Sequence, residues 1–265
     1  MSEGRAPDQK AINPARALIE AGQRVIALTV RQVKTPDIAF MARACGFDII
    51  IIDAEHGRFT ADETAALCLS ANAIGLTALV RVGSQAECPI AGALDAGASG
   101  VIVPHVNSVE EARAVAGHAH YAPLGTRSIA AVGPPSDYRS LPLAEHLQHQ
   151  NDSLWVIAML ETPTGIAQSA AIAAVPGIDG LLIGPNDLSA SMGLAGQVDH
   201  PSIRAAYAQV AQACQVNRRV FMAGGVPGLP LADIARMGAQ ALVGGIDVGY
   251  LMSAARADAS LMRAL

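Results

Sequence analysis

Aromatic and charged residues are both scarce in this sequence. Of its 265 residues, 3% are aromatic and 15% are charged, and there is a single tryptophan. So few aromatic side chains argue against the stacking surfaces that bind single-stranded nucleic acid. Acidic residues outnumber basic ones by 23 to 18, whereas a protein that binds a phosphate backbone needs a basic face. We therefore expect no nucleic-acid partner.

Cysteines and long apolar runs are also few. The four cysteines form no C-x-x-C pair, and we expect them to be small buried side chains in a reducing compartment. No stretch offers the roughly 20 uninterrupted apolar residues of a membrane helix. The first residues, MSEGRAPDQKAINPAR, are polar and lack the apolar segment of a signal peptide. These features predict a soluble cytoplasmic protein with no membrane partner.

Aliphatic residues, in contrast, are abundant and fall into eight short runs. Hydrophobic residues make up 51% of the chain. Runs that are continuously apolar, rather than alternating, are typical of parallel strands that are covered on both faces. The eight runs are Val25–Val30, Phe47–Asp53, Thr77–Val82, Gly100–Val106, Leu154–Glu161, Gly180–Pro185, Val220–Gly224 and Ala241–Asp247.

Helical patterns lie between these runs. Thr60 with Glu63, and Ser108 with Glu111, have the form of capping boxes that start helices. Glycines stand where four of the helices would end and a left-handed residue is favoured, at Gly46, Gly75, Gly97 and Gly238. The periodic segments include Asp62–Ile74, Val109–His118, Pro201–Val216 and Leu231–Met237.

Eight strand–helix alternations in a chain of this length predict a (β/α)8 barrel, the TIM barrel, which is an α/β fold. A doubly wound open sheet is the main alternative, but no glycine-rich phosphate-binding motif follows the first strand. We interpret residues 1–265 as one barrel domain. Residues 1–16 are then a polar N-terminal extension, and residues 123–153 are an irregular insertion near the rim.

Polar residues directly follow several of the predicted strands, where barrel enzymes carry their active sites. Glu161 and Asp187 end neighbouring strands, and two carboxylates with open positions suit Mg²⁺ or Mn²⁺. The alternative is that each acid only caps the helix after it. His56 is a candidate general base, and its alternative is a loop histidine bonded to backbone. Arg81 near a core needs an anionic partner, either a bound carboxylate or enolate or a structural ion pair with Asp53 or Glu55.

Several motifs occur in one order along the chain and together resemble the HpcH/HpaI family of class II pyruvate aldolases. The resemblance extends over roughly residues 17–265. The motif GPNDLSASMG is the most specific of them and IDAEH is the next. They are accompanied by Val80-Arg81, by Val101 to Pro104 and by Glu161-Thr162.

The resemblance implies a (β/α)8 barrel, often a hexamer of swapped dimers, with a C-terminal helix exchanged between subunits. It implies that Glu161 and Asp187 bind Mg²⁺, Mn²⁺ or Co²⁺, that His56 is the catalytic base and that Arg81 stabilises the enolate. Asp95 would reach a histidine of a neighbouring subunit. The substrate-binding residues would be Arg81 with Gly184, Pro185, Asn186 and Asp187, and the supporting residues would be Asp53, Glu55 and Met159. Some members carry glutamine where this chain has Met159.

These observations favour a metal-dependent lyase that cleaves a 4-hydroxy-2-oxo acid to pyruvate and an aldehyde. A Schiff-base mechanism is disfavoured because the only lysines, Lys10 and Lys34, lie outside the predicted strands. The first alternative is a decarboxylase of the oxaloacetate type that uses the same site. A lower-ranked alternative is a non-catalytic barrel that binds a small acid.

Overall fold

Eight parallel strands close into a barrel in a computed structural model that describes residues 13–226 and 228–265. The strands follow one another in chain order, and β8 pairs with β1. The predicted barrel is therefore confirmed. The strands are β1 (Val25–Val30), β2 (Ile49–Asp53), β3 (Thr77–Arg81), β4 (Gly100–Val103), β5 (Trp155–Leu160), β6 (Gly180–Ile183), β7 (Val220–Gly224) and β8 (Ala241–Ile246).

Helices cover the outside of the barrel and connect the strands. Within the described part of the chain, none of them is long and apolar enough to cross a membrane. They are α1 (Pro14–Glu20), α2 (Asp37–Ala44), α3 (Ala61–Ala73), α4 (Glu87–Asp95), α5 (Val109–Ala119), α6 (Leu143–Ser153), α7 (Pro163–Ala167), α8 (Ser169–Ala173), α9 (Pro185–Ser191), α10 (Pro201–Asn217), α11 (Leu231–Arg236) and α12 (Asp247–Arg263).

Local sequence signals explain where several helices start and end. Thr60 and Glu63 form the predicted capping box at the start of α3. Ser108 accepts a hydrogen bond from the Glu111 backbone N–H at 3.1 Å, but Glu111 Oε2 accepts from the Asn107 N–H, one residue before the expected donor. The predicted helix-ending glycines all have positive φ angles, at Gly46, Gly75, Gly97 and Gly238.

The continuous apolar runs supply two cores. Along β2, Ile49 and Ile51 point into the barrel, whereas Ile50 and Ile52 pack against the surrounding helices. Alternating side chains of one strand therefore enter different cores, which explains why the run shows no polar alternation. The single tryptophan, Trp155, lies buried inside the barrel.

The described parts of the N-terminal extension and of the segment 123–153 both pack at the end of the barrel where the strands start. Residues 1–12 of the N-terminal extension lie outside the described residues, but Asn13 and Ala15 are buried at the base of the barrel, where Ala15 N donates to Thr77 Oγ1 at 2.9 Å. The segment 123–153 ends in helix α6. Its Pro134 packs against Gly97, just before β4 begins. The segment follows helix α5 rather than a strand. It therefore lies at the end of the barrel where the strands start, opposite the end where they finish.

The cysteines are partly as expected. Cys68 and Cys214 are buried, whereas Cys45 and Cys88 are exposed, and all four are free thiols. Burial raises the pKa of the Cys68 and Cys214 thiols to about 12. Both buried thiols are therefore protonated and unreactive at neutral pH.

Candidate active site

A pocket of about 240 Å³ opens at the carboxyl ends of the strands. Its floor is apolar and includes Ile51, Ile102 and Leu182, and its upper wall is polar. Because all eight strands run in one direction, the residues that follow them meet at this mouth. The sequence-predicted residues that line the pocket are His56, Arg81, Met159, Gly184, Pro185, Asn186 and Asp187.

Glu161 stands directly after β5 and is almost fully buried, with 1% of its side chain exposed. Its Oε2 accepts a hydrogen bond from the His105 backbone N–H at 2.9 Å. Its Oε1 faces Gly184, where a methyl group would lie only 2.5 Å away. Burial raises the pKa of Glu161 above its ordinary value, and the charges of Asp187 and Glu55 also raise it, against the opposing effect of His105.

Asp187 lies in the first turn of α9 and lines the same pocket. Its negative charge is felt at Glu161, so two carboxylates share one space. Among the described residues, no group of three or more histidine, cysteine or acidic side chains is arranged so that it could hold a metal ion. A pair of carboxylates that leaves positions for water and substrate oxygens is nevertheless what Mg²⁺ commonly uses. The residues present therefore fit a hard divalent cation.

Asp53, the last residue of β2, is completely buried and holds two arginines at the mouth. Arg81 donates to it from Nε at 2.9 Å and from Nη2 at 2.5 Å, and Arg31 donates from Nε at 2.7 Å. Burial by itself would raise the pKa of Asp53. The hydrogen bonds and charge of these partners outweigh burial and hold the pKa below 3.8.

Arg81 thus makes the structural ion pair that was the alternative to substrate binding, and it also lines the pocket. Its Nη1 lies 3.2 Å from Glu55 Oε2. Because carboxylates hold Arg81 from two sides, its guanidinium is fixed in orientation before any ligand arrives. The two interpretations of Arg81 are therefore compatible.

His56 lines the pocket and remains half exposed. Its backbone N–H donates to Asp53 Oδ1 at 3.1 Å, which fixes the turn after β2. The ring nitrogen Nε2 lies 3.9 Å from Glu55 Oε2. A ring so placed can accept a proton from a ligand in the pocket.

Two residues at this end of the barrel, Arg31 and His105, were not predicted from the sequence. Arg31 follows β1, lines the pocket and shares Asp53 with Arg81. His105 follows β4 and lies between Glu55 and Glu161, with Nε2 3.4 Å from Glu55 Oε1 and Nδ1 3.0 Å from Glu161 Oε2. Arg31 directly follows the run Val25–Val30, and His105 stands near the end of the run Gly100–Val106 as Arg81 does in Thr77–Val82. A search for polar residues at the ends of the apolar runs would therefore have found both.

Asp95 does not line this pocket. It is the last residue of α4, at the end of the barrel where the strands begin. Its Oδ1 lies 2.6 Å from Nη2 of Arg127, a buried arginine whose guanidinium stacks on the Tyr121 ring. The Asp95 side chain is still 42% exposed. Within one chain, Asp95 and His56 are therefore at opposite ends of the barrel.

Comparisons with known proteins agree with the geometry. Residues 32–253 match the model of the HpcH/HpaI aldolase/citrate lyase family. A hydroxypyruvate/pyruvate aldolase of Sagittula stellata is 36% identical over 73% of this chain and 76% of its own length. A 4-hydroxy-2-oxo-heptane-1,7-dioate aldolase of Salmonella dublin is 29% identical over 94% of both chains.

A solved structure has the same fold over nearly the whole chain. The crystal structure of an HpcH/HpaI aldolase from Desulfitobacterium hafniense DCB-2 superposes with a TM-score of 0.90 at 29% identity, and it covers 94% of this chain and 96% of its own. Together with the family match over residues 32–253, this likeness shows that the chain belongs to the HpcH/HpaI aldolase/citrate lyase family.

Proposed function

We propose that this protein is a divalent-metal-dependent carbon–carbon lyase that cleaves a 4-hydroxy-2-oxo acid to pyruvate and an aldehyde. The observation that carries the proposal is the pocket that Asp187 lines together with His56 and Arg81, with the Glu161 carboxylate beside Gly184 of the same lining. The names of the relatives support it, since both curated relatives described above are aldolases.

Glu161 and Asp187 would hold the cation, as Mg²⁺, Mn²⁺ or Co²⁺. Both offer oxygen, the donor that hard divalent cations prefer, and Glu161 Oε1 lies beside Gly184, which lines the pocket. When bound, the cation would supply Lewis-acid stabilisation of the negative charge that develops on the 2-oxo group.

The chain's own residues account for the remaining requirements of the reaction. The Arg81 guanidinium, held by Asp53, stabilises the same negative charge, which lies on the oxygen of the 2-oxo group as the enolate forms. His56 accepts the proton of the substrate's 4-hydroxyl group, and the C3–C4 bond breaks as the aldehyde carbonyl forms. The electron pair of that bond passes to the enolate, which gains a proton at C3 to give pyruvate. Residues 184–187 line the side on which we place the substrate carboxylate.

The decisive experiment measures cleavage of 4-hydroxy-2-oxoglutarate and of 4-hydroxy-2-oxopentanoate by chelated protein and by protein resupplied with Mn²⁺. We expect pyruvate to form only after metal is restored. Equal pyruvate formation by the exhaustively chelated protein would contradict the metal assignment. Oxaloacetate serves as a third substrate, and turnover of oxaloacetate alone would indicate a decarboxylase. If the protein bound oxalate but turned over none of the three substrates, it would be a non-catalytic barrel.

Gly184 provides a first test of the site geometry. In Gly184→Ala, the new methyl group would lie 2.5 Å from Glu161 Oε1 and 2.8 Å from the Met159 methyl carbon. Both neighbours are buried, so the carboxylate must move. Because a displacement of about 1 Å in a catalytic group can reduce a rate by about 100-fold, we expect a loss of that order in kcat/KM for retro-aldol cleavage.

Gly117→Ala is the matched control, because Gly117 lies within α5 and has no atom within 4 Å of the new methyl group. It should keep full activity and gain about 0.5–1 kcal/mol in the free energy of unfolding, since alanine favours the helix. Wild-type activity in Gly184→Ala would show that cleavage does not depend on the present position of the Glu161 carboxylate.

We extend the proposal to a homo-oligomer in which helix α12 is exchanged between subunits, as in a hexamer built from swapped dimers. Beyond Val248, every residue of α12 is exposed in the single chain, including Leu251 and Leu261. Beside its start lies an apolar groove of about 610 Å³, lined by Leu28, Ile38, Met41 and Phe47 among others. Contiguous exposed apolar surface of this kind marks an interface, and the α12 helix of a second copy would cover it.

This assembly also bears on Asp95. Asp95 lies at the end of its own barrel opposite His56, so its predicted contact with a histidine requires a neighbouring subunit. We assign that histidine as His56 of the neighbouring subunit. The exposed part of the Asp95 carboxylate is consistent with such a contact.

Leu261→Asp tests the exchanged helix. Leu261 is 69% exposed in the single chain, so an aspartate costs the isolated subunit little, but it would place a charge in the interface. Light scattering coupled to size exclusion should give the wild type about six times the 27.2 kDa chain mass and should give the variant a smaller assembly. Arg256→Gln on the same helix is the control. A wild type that elutes at the mass of one chain would rule out the exchange.

A further inference from the structure

We infer that His105 is a positioning residue that anchors one oxygen of Glu161 and so leaves the other oxygen free for the cation. The inference rests on the proposed metal-dependent function. It assigns a role to a residue on the β4 loop that neither the sequence motifs nor the family comparison identified.

The contacts of His105 divide the two oxygens of the Glu161 carboxylate. The backbone N–H of His105 donates to Oε2 at 2.9 Å, and ring atom Nδ1 lies 3.0 Å from the same Oε2. Oε1 instead faces Gly184, next to the pocket wall. One residue therefore directs two groups at a single carboxylate oxygen.

The backbone conformation of His105 makes this double contact possible. Its φ angle is +57°, in the left-handed region that non-glycine residues rarely adopt and that is concentrated at functional sites. The loop is held in place because the His105 carbonyl oxygen accepts hydrogen bonds from Gln85 Nε2 and Asn107 Nδ2, each at 2.7 Å. The surrounding side chains thus stabilise a conformation that would otherwise be unfavourable.

The ring also connects Glu161 to the neighbouring acid. Its Nε2 lies 3.4 Å from Glu55 Oε1, so His105 spans the acids that follow β2 and β5. The ring is 55% exposed, which means that its polar contacts rather than core packing determine where it lies. Its removal should leave the fold intact and affect only the carboxylates.

Residues that contact a metal ligand and orient it, without contacting the metal, typically contribute about 10–100-fold to metal affinity. Without the ring, Oε2 of Glu161 would keep only the hydrogen bond from the His105 backbone N–H, and the carboxylate could rotate. The carboxylate would then lose part of the preorganisation that favours cation binding through Oε1.

Two variants that both tolerate a positive φ angle test the inference. His105→Gly removes the ring, whereas His105→Asn retains an amide N–H donor near the position of Nδ1. Mn²⁺ affinity is measured on the full-length protein from the electron paramagnetic resonance signal of free Mn²⁺. We expect His105→Gly to bind Mn²⁺ about 10–100-fold more weakly than the wild type. His105→Asn should recover most of that loss.

The retro-aldol rate distinguishes positioning from a direct catalytic role. At saturating Mn²⁺, the kcat of His105→Gly should approach the wild-type value, while the Mn²⁺ concentration for half-maximal activity rises. The melting temperatures of the metal-free proteins should differ by no more than about 2 °C, as expected for a substitution that leaves the fold intact.

The possible failures are distinguishable. Wild-type Mn²⁺ affinity in His105→Gly, together with a loss of affinity in Glu161→Gln, would overturn the role of His105 and leave the proposed function standing. A wild-type protein that binds no Mn²⁺, or a Glu161→Gln variant that binds it as tightly as the wild type, would overturn the metal site and the role of His105 with it.

Discussion

Glu161→Gln is expected to lower kcat/KM for retro-aldol cleavage by at least about 1,000-fold, which corresponds to about 4 kcal/mol of lost transition-state stabilisation. Glutamine has nearly the same shape as glutamate but carries no charge. Among the described residues that line the pocket, Asp187 would then be the single anionic oxygen donor, and a hard divalent cation binds such a site weakly.

The same variant separates a loss of function from a loss of structure. Glu161 is buried, and a neutral amide is less costly to bury than a carboxylate. Metal-free Glu161→Gln should therefore melt at a temperature no lower than that of the metal-free wild type. Mn²⁺ should raise the melting temperature of the wild type and have little effect on the variant.

Glu145→Gln is the matched control for this prediction. Glu145 is exposed on α6, at the other end of the barrel, so the same chemical change should leave kcat/KM and Mn²⁺ binding unaltered. Our assignment of Glu161 as a metal ligand would be wrong if Glu161→Gln kept more than about a tenth of the wild-type kcat/KM, because loss of a ligand removes several kcal/mol of stabilisation.

Asp53→Asn is expected to lower the free energy of unfolding by about 3–5 kcal/mol at neutral pH, the typical cost of breaking a buried ion pair from one side. Asp53 is fully buried and accepts hydrogen bonds from Arg31, Arg81 and the His56 backbone. An uncharged amide cannot compensate two guanidinium groups, and its NH₂ group opposes their N–H donors. Activity should also fall, because Arg81 and the turn that carries His56 lose their common anchor.

The pH dependence gives this prediction a specific sign. The pKa of Asp53 in the folded protein lies below its ordinary value of 3.8. Its ionised form therefore contributes stability that is fully present above pH 3.8 and is lost as the pH falls through the depressed folded value. The difference in unfolding free energy between the wild type and Asp53→Asn should shrink as the pH is lowered below 3.8.

Urea denaturation at one protein concentration, at neutral and at acidic pH, measures both effects. Asp152→Asn is the control, because Asp152 is exposed on α6 and bonds only to Gln148 among the described residues. It should change the unfolding free energy by less than about 0.5 kcal/mol. If Asp53→Asn changed the unfolding free energy at neutral pH as little as the control does, the Asp53 carboxylate would not be needed to hold Arg31 and Arg81 in the folded protein.

The barrel was predictable from the sequence because its signals are local. Apolar runs without polar alternation indicated strands covered on both faces, and β1 and β7 begin and end where predicted, at Val25–Val30 and Val220–Gly224. The position of the segment 123–153 could not be predicted in detail, because its composition indicates irregular structure but not the end of the barrel at which it packs. The helix α6 within it has a polar sequence, LAEHLQHQNDS, that lacks a strong apolar periodicity.

The candidate site was predictable only in part. That Glu161 and Asp187 should approach each other follows from strand order, since they end neighbouring strands of a parallel sheet. The sequence did not show which acids pair with Arg81, and the structure pairs it with both Asp53 and Glu55. This pairing depends on the directions of side chains from adjacent strand ends. Nothing in the spacing of residues indicated that His105 adopts a positive φ angle and reaches Glu161.

The sequence by itself thus determined the barrel and the set of strand-ending residues from which a site could be built. Both depend on patterns within about ten residues, where periodicity and capping act. The tertiary structure decided which of those residues work together: Arg31 and Arg81 share Asp53, His105 joins Glu55 to Glu161, and Asp95 lies at the opposite end. These contacts join residues that are distant in the chain, and they follow from distances and side-chain directions that exist only after the strands close.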